Sequence, residues 1–557
     1  MAGALELTQG AAAALKRRLE GEWFGTAPHR LTLGGRRAQG FSAHPHDLRP
    51  ASGERGRELL GGVFAFAGST LKVGANGDPF DRPSPSRRFA AALHGFEWLR
   101  DLLVLGDEGV RPAIRLYTDW RRLFGRWNAF SWSPKVLERR VFNLACAARP
   151  LAAQASEAEI AFLQDDLARQ ARHLLRLSED PSRAIERAVA AGIAGCALGG
   201  PAGLALIKSA LRRIAKRLPR AVLIDGGHAT RSPQRGLELL LDLLTLDDAL
   251  LQRGVPAPEE MSRAIDRLTT AARFFTLADG RLAAMQGAAA VDSAIIKAAL
   301  AHEEPRKAPM KLGSVGFHKL AGAGIEVIVD AGAPASGAWS IEATAQPLAF
   351  EIVASRDRLI TSSGWTAGAP AELRLTAAGS CAVLGGVSCG EPLTGLAASG
   401  LGERLAACPQ KVTATRHETE GAMWLEMSHD GWVRSFGLVY DRRLFLDRGS
   451  GELRGEERFE PKEAKAPDER RYIPVAVHFH LGEGVKASLA NDGKTVLLRG
   501  PSNEGRWLRT DAAEVAIEPA THQVNGTLRK GSQVVLRGQV LAHKGGRIRW
   551  KLSPSET

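Results

Sequence analysis

The stretch EEPRKAPMK (Glu303–Lys311) divides two kinds of sequence, and the contrast across it decides the fold. Upstream, from about residue 85 to 304, the chain is rich in Ala, Leu and Arg, with apolar residues at helical spacing. Pro134–Leu151, Ser156–Leu177, Pro181–Leu198, Pro201–Leu218, Pro233–Leu246 and Pro258–Phe275 each read as one amphipathic helix. Asp-Pro, Gly-Pro, Asp-Gly and Ser-Pro signals separate them. Downstream come short β-branched or alternating runs such as GIEVIVDAG, PLAFEIVAS, KTVLLRG and SQVVLRGQVL, punctuated by Gly, Asp and Asn. Helices first and strands later specify a multidomain α+β chain, not a βαβ weave. The expected domains are a loop-rich approach over 1–80, an α/α toroid of helical hairpins over 81–305, and an antiparallel β-sandwich over 306–557. No repeat of fixed period is present, which disfavours tandem solenoids.

The 557 residues are too many for one core. Lys+Arg 74 against Asp+Glu 61 gives +13, which favours an anionic partner. Charge is the sole support for nucleic acid, so none is expected. The uncharged stretch Ala188–Ile207 holds Gly199-Gly200-Pro201 at its middle. It reads as two buried helices joined by a turn rather than a membrane span. Cys146, Cys196, Cys381, Cys389 and Cys408 form no CxxC pair or disulfide framework. The first residues lack the order of a signal peptide, so a cytoplasmic location is expected.

P-loop, HExxH, GxSxG and zinc-finger spacings are missing from the sequence, and no cofactor is implied. His478 and His480 share one face of a strand and are candidate metal ligands, or ordinary strand histidines. Phe96, Trp98, Trp120, Trp127, Phe130 and Trp132 are interleaved with Arg100, Arg121, Arg122 and Arg126. Aromatic faces stack on sugars and guanidinium forks grip carboxylates. His94, Trp98, Arg100, Trp120 and Trp132 are therefore candidate substrate contacts, although most such aromatics belong to a core.

LHGFEWLRDLLVLGD (Leu93–Asp107), Asp119-Trp120, Trp132 and ERRVFN (Glu138–Asn143) resemble the toroid of heparinase II/III-like proteins. So does LIDGGHATRSPQRGLELLLDLL (Leu223–Leu244), and the strand runs beyond Glu303 fall in the order of that family's sandwich. The resemblance implies a polysaccharide lyase that neutralises a uronate carboxylate, removes the neighbouring ring proton and expels the glycosidic oxygen. It also implies an acidic polysaccharide as partner and the cell envelope as an alternative location. Such families place an Asn or His on a toroid helix, a Tyr after the Asp-Gly turn and a His in the sandwich.

This chain departs from that pattern. Gln234 or Arg235 stands where the Tyr is expected, and Thr344 and Gly379 stand where sandwich histidines are expected. Asp225, His228 and Arg231 remain as catalytic candidates, His228 as base and Arg231 as carboxylate holder. Equally, His228 caps the local helix and Arg231 pairs with Asp225. The helix Ile207–Arg220 carries Lys208, Arg212, Arg213, Lys216, Arg217 and Arg220, which form either a steering wall or a solvated face. The leading expectation is β-elimination at a groove between the domains. The alternatives are a catalytically weakened glycan binder and a glycoside hydrolase using Asp225.

Overall fold

A computed structural model describes residues 4–178, 180–304, 306–463 and 471–555. The chain opens with α1 (Ala4–Gly25), α2 (Ala27–Thr32), α3 (Gly53–Leu60) and a hairpin of β1 (Val63–Phe66) with β2 (Ser69–Lys72). Then come α4 (Arg87–His94), α5 (Leu99–Leu103), α6 (Asp107–Phe124), α7 (Pro134–Ala152) and α8 (Glu157–Arg176). The helical half ends with α9 (Ala184–Ala197), α10 (Gly200–Ala221), α11 (Pro233–Gln252), α12 (Glu259–Phe275) and α13 (Ser293–Leu300). Long neighbours pack pairwise, α7 on α8 and α9, α9 on α10 and α11, α11 on α12.

Local chemistry sets these ends. Ser156 accepts from the Glu159 amide while the Glu159 carboxylate takes the Ser156 amide, a reciprocal cap that starts α8. Ser232 accepts from the Arg235 amide, and Pro233 opens α11 with its φ already helical. The uncharged stretch is split between α9 and α10, with Gly200 at φ +69° between them. A Cβ on Gly203 would come within 2.0 Å of the Leu198 carbonyl oxygen, so the small residues serve close helix contact. Among the described residues no helix is long and apolar enough to cross a membrane.

The second half is built of strands. They begin with β3 (Lys311–Leu312), β4 (Phe317–Gly322), β5 (Ile325–Asp330), β6 (Phe350–Ala354), β7 (Asp357–Thr361), β8 (Ala382–Leu384) and β9 (Glu391–Pro392). After a short helix α14 (Gly395–Leu401) come β10 (Leu405–Ala406), β11 (Val412–Glu418), β12 (Ala422–His429), β13 (Leu438–Asp447) and β14 (Leu453–Pro461). The last are β15 (Tyr472–Leu481), β16 (Lys486–Leu489), β17 (Thr495–Arg499), β18 (Gly505–Thr510), β19 (Glu514–Val524), β20 (Thr527–Leu541) and β21 (Gly546–Pro554). One sheet runs β19-β20-β15-β7-β6-β5-β4-β3 with β8 beside β15, the other β11-β12-β13-β14-β21-β18-β17-β16.

Alternation sorts the layers. Val327 and Val329 of β5 join the core between the sheets, whereas Ile328, Phe317 and Val353 join the core of the helical half. The β3–β7 sheet therefore lies between the helices and the second sheet.

The first 80 residues are not the loop-rich approach the sequence suggested. They hold α1–α3 and a hairpin, and α1 lies against α14 of the strand half. A Cβ on Gly400 would come 1.8 Å from the Gly10 carbonyl oxygen, and Arg17 donates to the Ser399 carbonyl at 3.0 Å. Leu15 and Leu19 of α1 stay exposed, so its apolar residues draw no clear stripe in the sequence.

Candidate functional site

Between α10 and α11 the chain makes the Asp-Gly turn. Gly226 sits at φ +87°, and a Cβ there would come 1.9 Å from the Arg267 carbonyl oxygen of α12, so only glycine fits. Asp225 Oδ1 accepts from the Gly227 amide at 3.2 Å. Its Oδ2 accepts from the Ser314 and Val315 amides at 2.6 and 2.9 Å, holding the β3–β4 turn. Arg231, at φ +63°, donates Nε to the Val315 carbonyl at 2.8 Å and pairs with Asp330 at the end of β5. Its guanidinium also lies 4.8 Å from the Phe317 ring centre. Asp225 and Arg231 thus join the two halves. Arg231 is engaged by Asp330, not by Asp225, and holds no cation free for a uronate.

His228 lies in the same turn and is buried. Its Nδ1 accepts from the Thr230 amide at 3.2 Å and lies 2.7 Å from Thr230 Oγ1. A backbone N–H can only donate, so the proton of the neutral ring resides on Nε2. Burial, then Arg235 and Arg183, hold its pKa down to about 3. Nε2 has no partner in the described structure, and Trp339 of the strand half stands edge-on with its centre 6.0 Å away. The expected base is therefore a neutral N–H donor at physiological pH.

Beside it lies an ion network spanning both halves. Arg235, one of the two residues (with Gln234) at the place where a Tyr was expected, pairs with Glu186, with Glu238 at 3.4 Å and with Glu342 at 3.8 Å. Arg183 reaches Glu138 at 3.4 Å and Glu342 at 3.9 Å. Burial pushes the Glu138 carboxyl up to about 7, and Glu186 adds to that. Glu238 is held down to about 2 against the push of burial, by Arg235 and by a hydrogen bond from Gln234. The network meets water at Glu238, whose side chain is 41 % exposed, and at the exposed Lys135. Enclosure by protein and then Arg183 lower the Lys135 ammonium pKa. Glu238 and Lys135 are the members of this group that solvent reaches. The signals for Glu138, Glu186 and Glu342 were missed because charged residues inside helices and turns read as solvated faces.

The other candidates lie elsewhere. Trp98 and Trp120 are fully buried, their indole N–H groups given to the Leu93 carbonyl and to His94 Nδ1. Trp132 is buried with Nε1 on the Phe124 carbonyl, and His94 is buried with its pKa down to about 4. None of them presents a face to a sugar, which corrects the expected substrate contacts. Arg140 sits under this cluster with its guanidinium 4.4 Å from the Trp120 ring centre. Arg100 pairs with Asp47 at 3.3 Å. Along α10, Lys208, Arg212, Lys216 and Arg220 are exposed while Ile207, Ala210, Ile214 and Leu218 are buried, a solvated face. His480 contacts the Ala377 carbonyl at 2.8 Å and Ser363 at 3.3 Å, and His478 contacts Gln533 at 3.0 Å. These are ordinary packing contacts, and no group of three or more metal-type ligands occurs among the described residues. Gln346 occupies the space that a side chain at Gly379 would need, a Cβ there falling 2.9 Å from its Cγ.

Residues 304–551 match the family model "Heparinase II/III-like, C-terminal". Over 549 residues the chain is 53 % identical to FtsZ-localized protein C of Caulobacter vibrioides (strain NA1000 / CB15N), covering 97 % of this chain and 94 % of that one. The chain belongs to the heparinase II/III-like family. Its fold agrees: heparinase III superposes with a TM-score of 0.72 at 13 % identity, over 98 % of this chain and 92 % of that one. Heparan sulfate lyase HepC from Pedobacter heparinus gives 0.57 at 14 % identity, over 95 % and 87 %. The helical half is accordingly the heparinase-type α/α toroid and the strand half its β-sandwich. In this heparinase II/III-like chain the DGGH turn and the network around Arg235 lie where those two parts meet.

Proposed function

We propose that the chain binds an acidic polysaccharide in the toroid–sandwich cleft and cleaves it by β-elimination only slowly. The observation that carries this reading is Arg235, paired to three carboxylates at the start of α11, where Gln234 or Arg235 stands in place of the expected family Tyr. Lys135 supplies an exposed cation for a uronate carboxylate. The groups around it are poor bases at the cleft surface. Glu238, with a pKa of about 2, is too weak, and His228 presents N–H rather than a lone pair. Glu138, near 7, is matched to neutral pH but is closed off by burial.

The test is to titrate the protein with heparan sulfate, hyaluronan and alginate while following the near-ultraviolet absorbance of the unsaturated product. Expected are binding that weakens with salt and turnover ~10²–10⁴ below a family lyase run alongside. Turnover equal to that lyase would overturn the reading.

The 53 % identity also favours a second, compatible reading. The relative carries a name for where it resides, alongside FtsZ, and we infer the same localisation here, in keeping with the cytoplasm. A fluorescent fusion should track FtsZ; a diffuse or purely envelope signal would reject it.

A further inference from the structure

The sandwich has a face that the junction site does not use. The β11–β12–β13–β14–β21–β18 sheet turns Leu425, Leu444 and Leu453 inward, all fully buried. Its other side looks away from the toroid. There the antiparallel register sets one residue from each strand in a single line. His417 faces Trp424, Trp424 faces Phe445, Phe445 faces Arg454, Arg454 faces Lys551, and Lys551 faces Arg509. At ~4.8 Å between strands the line spans about 24 Å.

The first half of this line is aromatic and the second half cationic, with no carboxylate in it. The His417 and Trp424 rings lie nearly parallel, 14° apart at 4.9 Å, and Trp424 and Phe445 are 30° apart at 6.2 Å. Arg454 lies 5.7 Å from the Phe445 ring centre, and Arg509 lies 5.7 Å from that of Trp507. Arg454 and Lys551 share one carboxylate, Glu452, at 2.7 and 3.2 Å, which leaves a positive charge in excess. The adjoining line, Glu426–Arg443–Glu456–Arg549, alternates in sign and offers planar groups for hydroxyls. A surface cavity of about 670 Å³ lies over both lines. Half-buried rings beside a row of cations with positive charge in excess fit pyranose faces that carry carboxylates, because stacking and ion pairing are offered side by side.

We propose that this sheet face is a second polysaccharide-binding surface, which takes an acidic oligosaccharide laid across the strands. It uses none of the cleft residues and stands whether or not the junction turns over substrate.

The experiment titrates the full chain by calorimetry with an alginate hexamer, an uncharged cello-oligosaccharide hexamer and hexaglutamate, in the wild-type and Lys135→Ala backgrounds. The surface substitutions should leave the melting temperature unchanged. With Trp424→Ala and Phe445→Ala together, alginate binding in the Lys135→Ala background should weaken about 10-fold or more. Arg454→Glu with Lys551→Glu should abolish it, and the uncharged hexamer should bind less tightly than alginate. Equal alginate binding with and without the two rings would overturn the proposal. Hexaglutamate binding as tightly as alginate, with both indifferent to the rings, would assign the face to acidic peptides instead. A Lys135→Ala protein that binds like wild type while the ring variants fail would remove the cleft reading and leave this one standing.

Discussion

At the scale of single residues, Arg231 and His228 show how far a motif reading reaches. The DGGH turn was legible as a place, because glycines at forced positions and a Ser-Pro helix start mark it in any sequence. Their roles were not, because the partners Asp330, on β5, and Val315, in the β3–β4 turn, lie 99 and 84 positions away. Arg231 and Asp330 are both buried, so Arg231→Ala strands a carboxylate in the interior. We expect a loss of about 3–5 kcal/mol in chemical denaturation; a loss under 1 kcal/mol would mean that the pair is not closed in solution. For His228, histidine-selective nitrogen NMR should show an Nε2–H tautomer that does not titrate between pH 5 and 8. A transition near 6.5 would return it to the role of base.

At the scale of elements, the starts of α7, α8, α10, α11 and α12 were read to within a residue, because caps such as Ser156 and Ser232 are local chemistry. By contrast, α10 and α11 run on past the expected ends Leu218 and Leu246 to Ala221 and Gln252. Aromatic residues misled for the opposite reason. Composition cannot say whether Trp98 and Trp120 line a groove or fill a core, and tertiary packing chose the core. The N-terminal helix escaped notice because the surface it covers is made by α14, far along the chain. That contact has no room for a side chain. Gly400→Val should free α1 for rapid proteolysis while the remainder keeps its fold, read by digestion and mass spectrometry. Resistance equal to wild type would show that α1 is held by something other than this crossing.

At the scale of the molecule, the hydrophobic core of the toroid runs on into the first sandwich sheet through Phe317, Ile328 and Val353. A cut near Glu303–Lys311 should therefore leave two halves that stay together in gel filtration, since exposed apolar faces of that size re-associate. Stability should also depend on acid in an unusual range. His94 and His318 are held near 4, and His173, His228, His429 and His480 near 3, in each case first by burial. Their unfolded pKa is ~6.5. The unfolded chain thus takes up more protons below that value, and stability, complete above it, drains away as pH falls. Each histidine contributes about 1.4 kcal/mol per pH unit over this window. Melting temperature should start to drop near pH 6.5, and a flat profile down to pH 5 would refute it. Glu138 acts with the opposite sign over the same window: its raised carboxyl stabilises fully below its unfolded pKa of ~4.3, and that contribution is lost as pH climbs from there to about 7, so Glu138→Gln should steepen the loss of stability toward acid. The crossing of α1 on α14 adds a constraint in time. Arg17 and Ser399 are 382 positions apart, so at ~5–20 residues per second the first helix leaves the ribosome about 20–80 s before its partner exists. Made first and docked late, α1 spends that interval as an unclaimed helix, open to whatever the cell offers it.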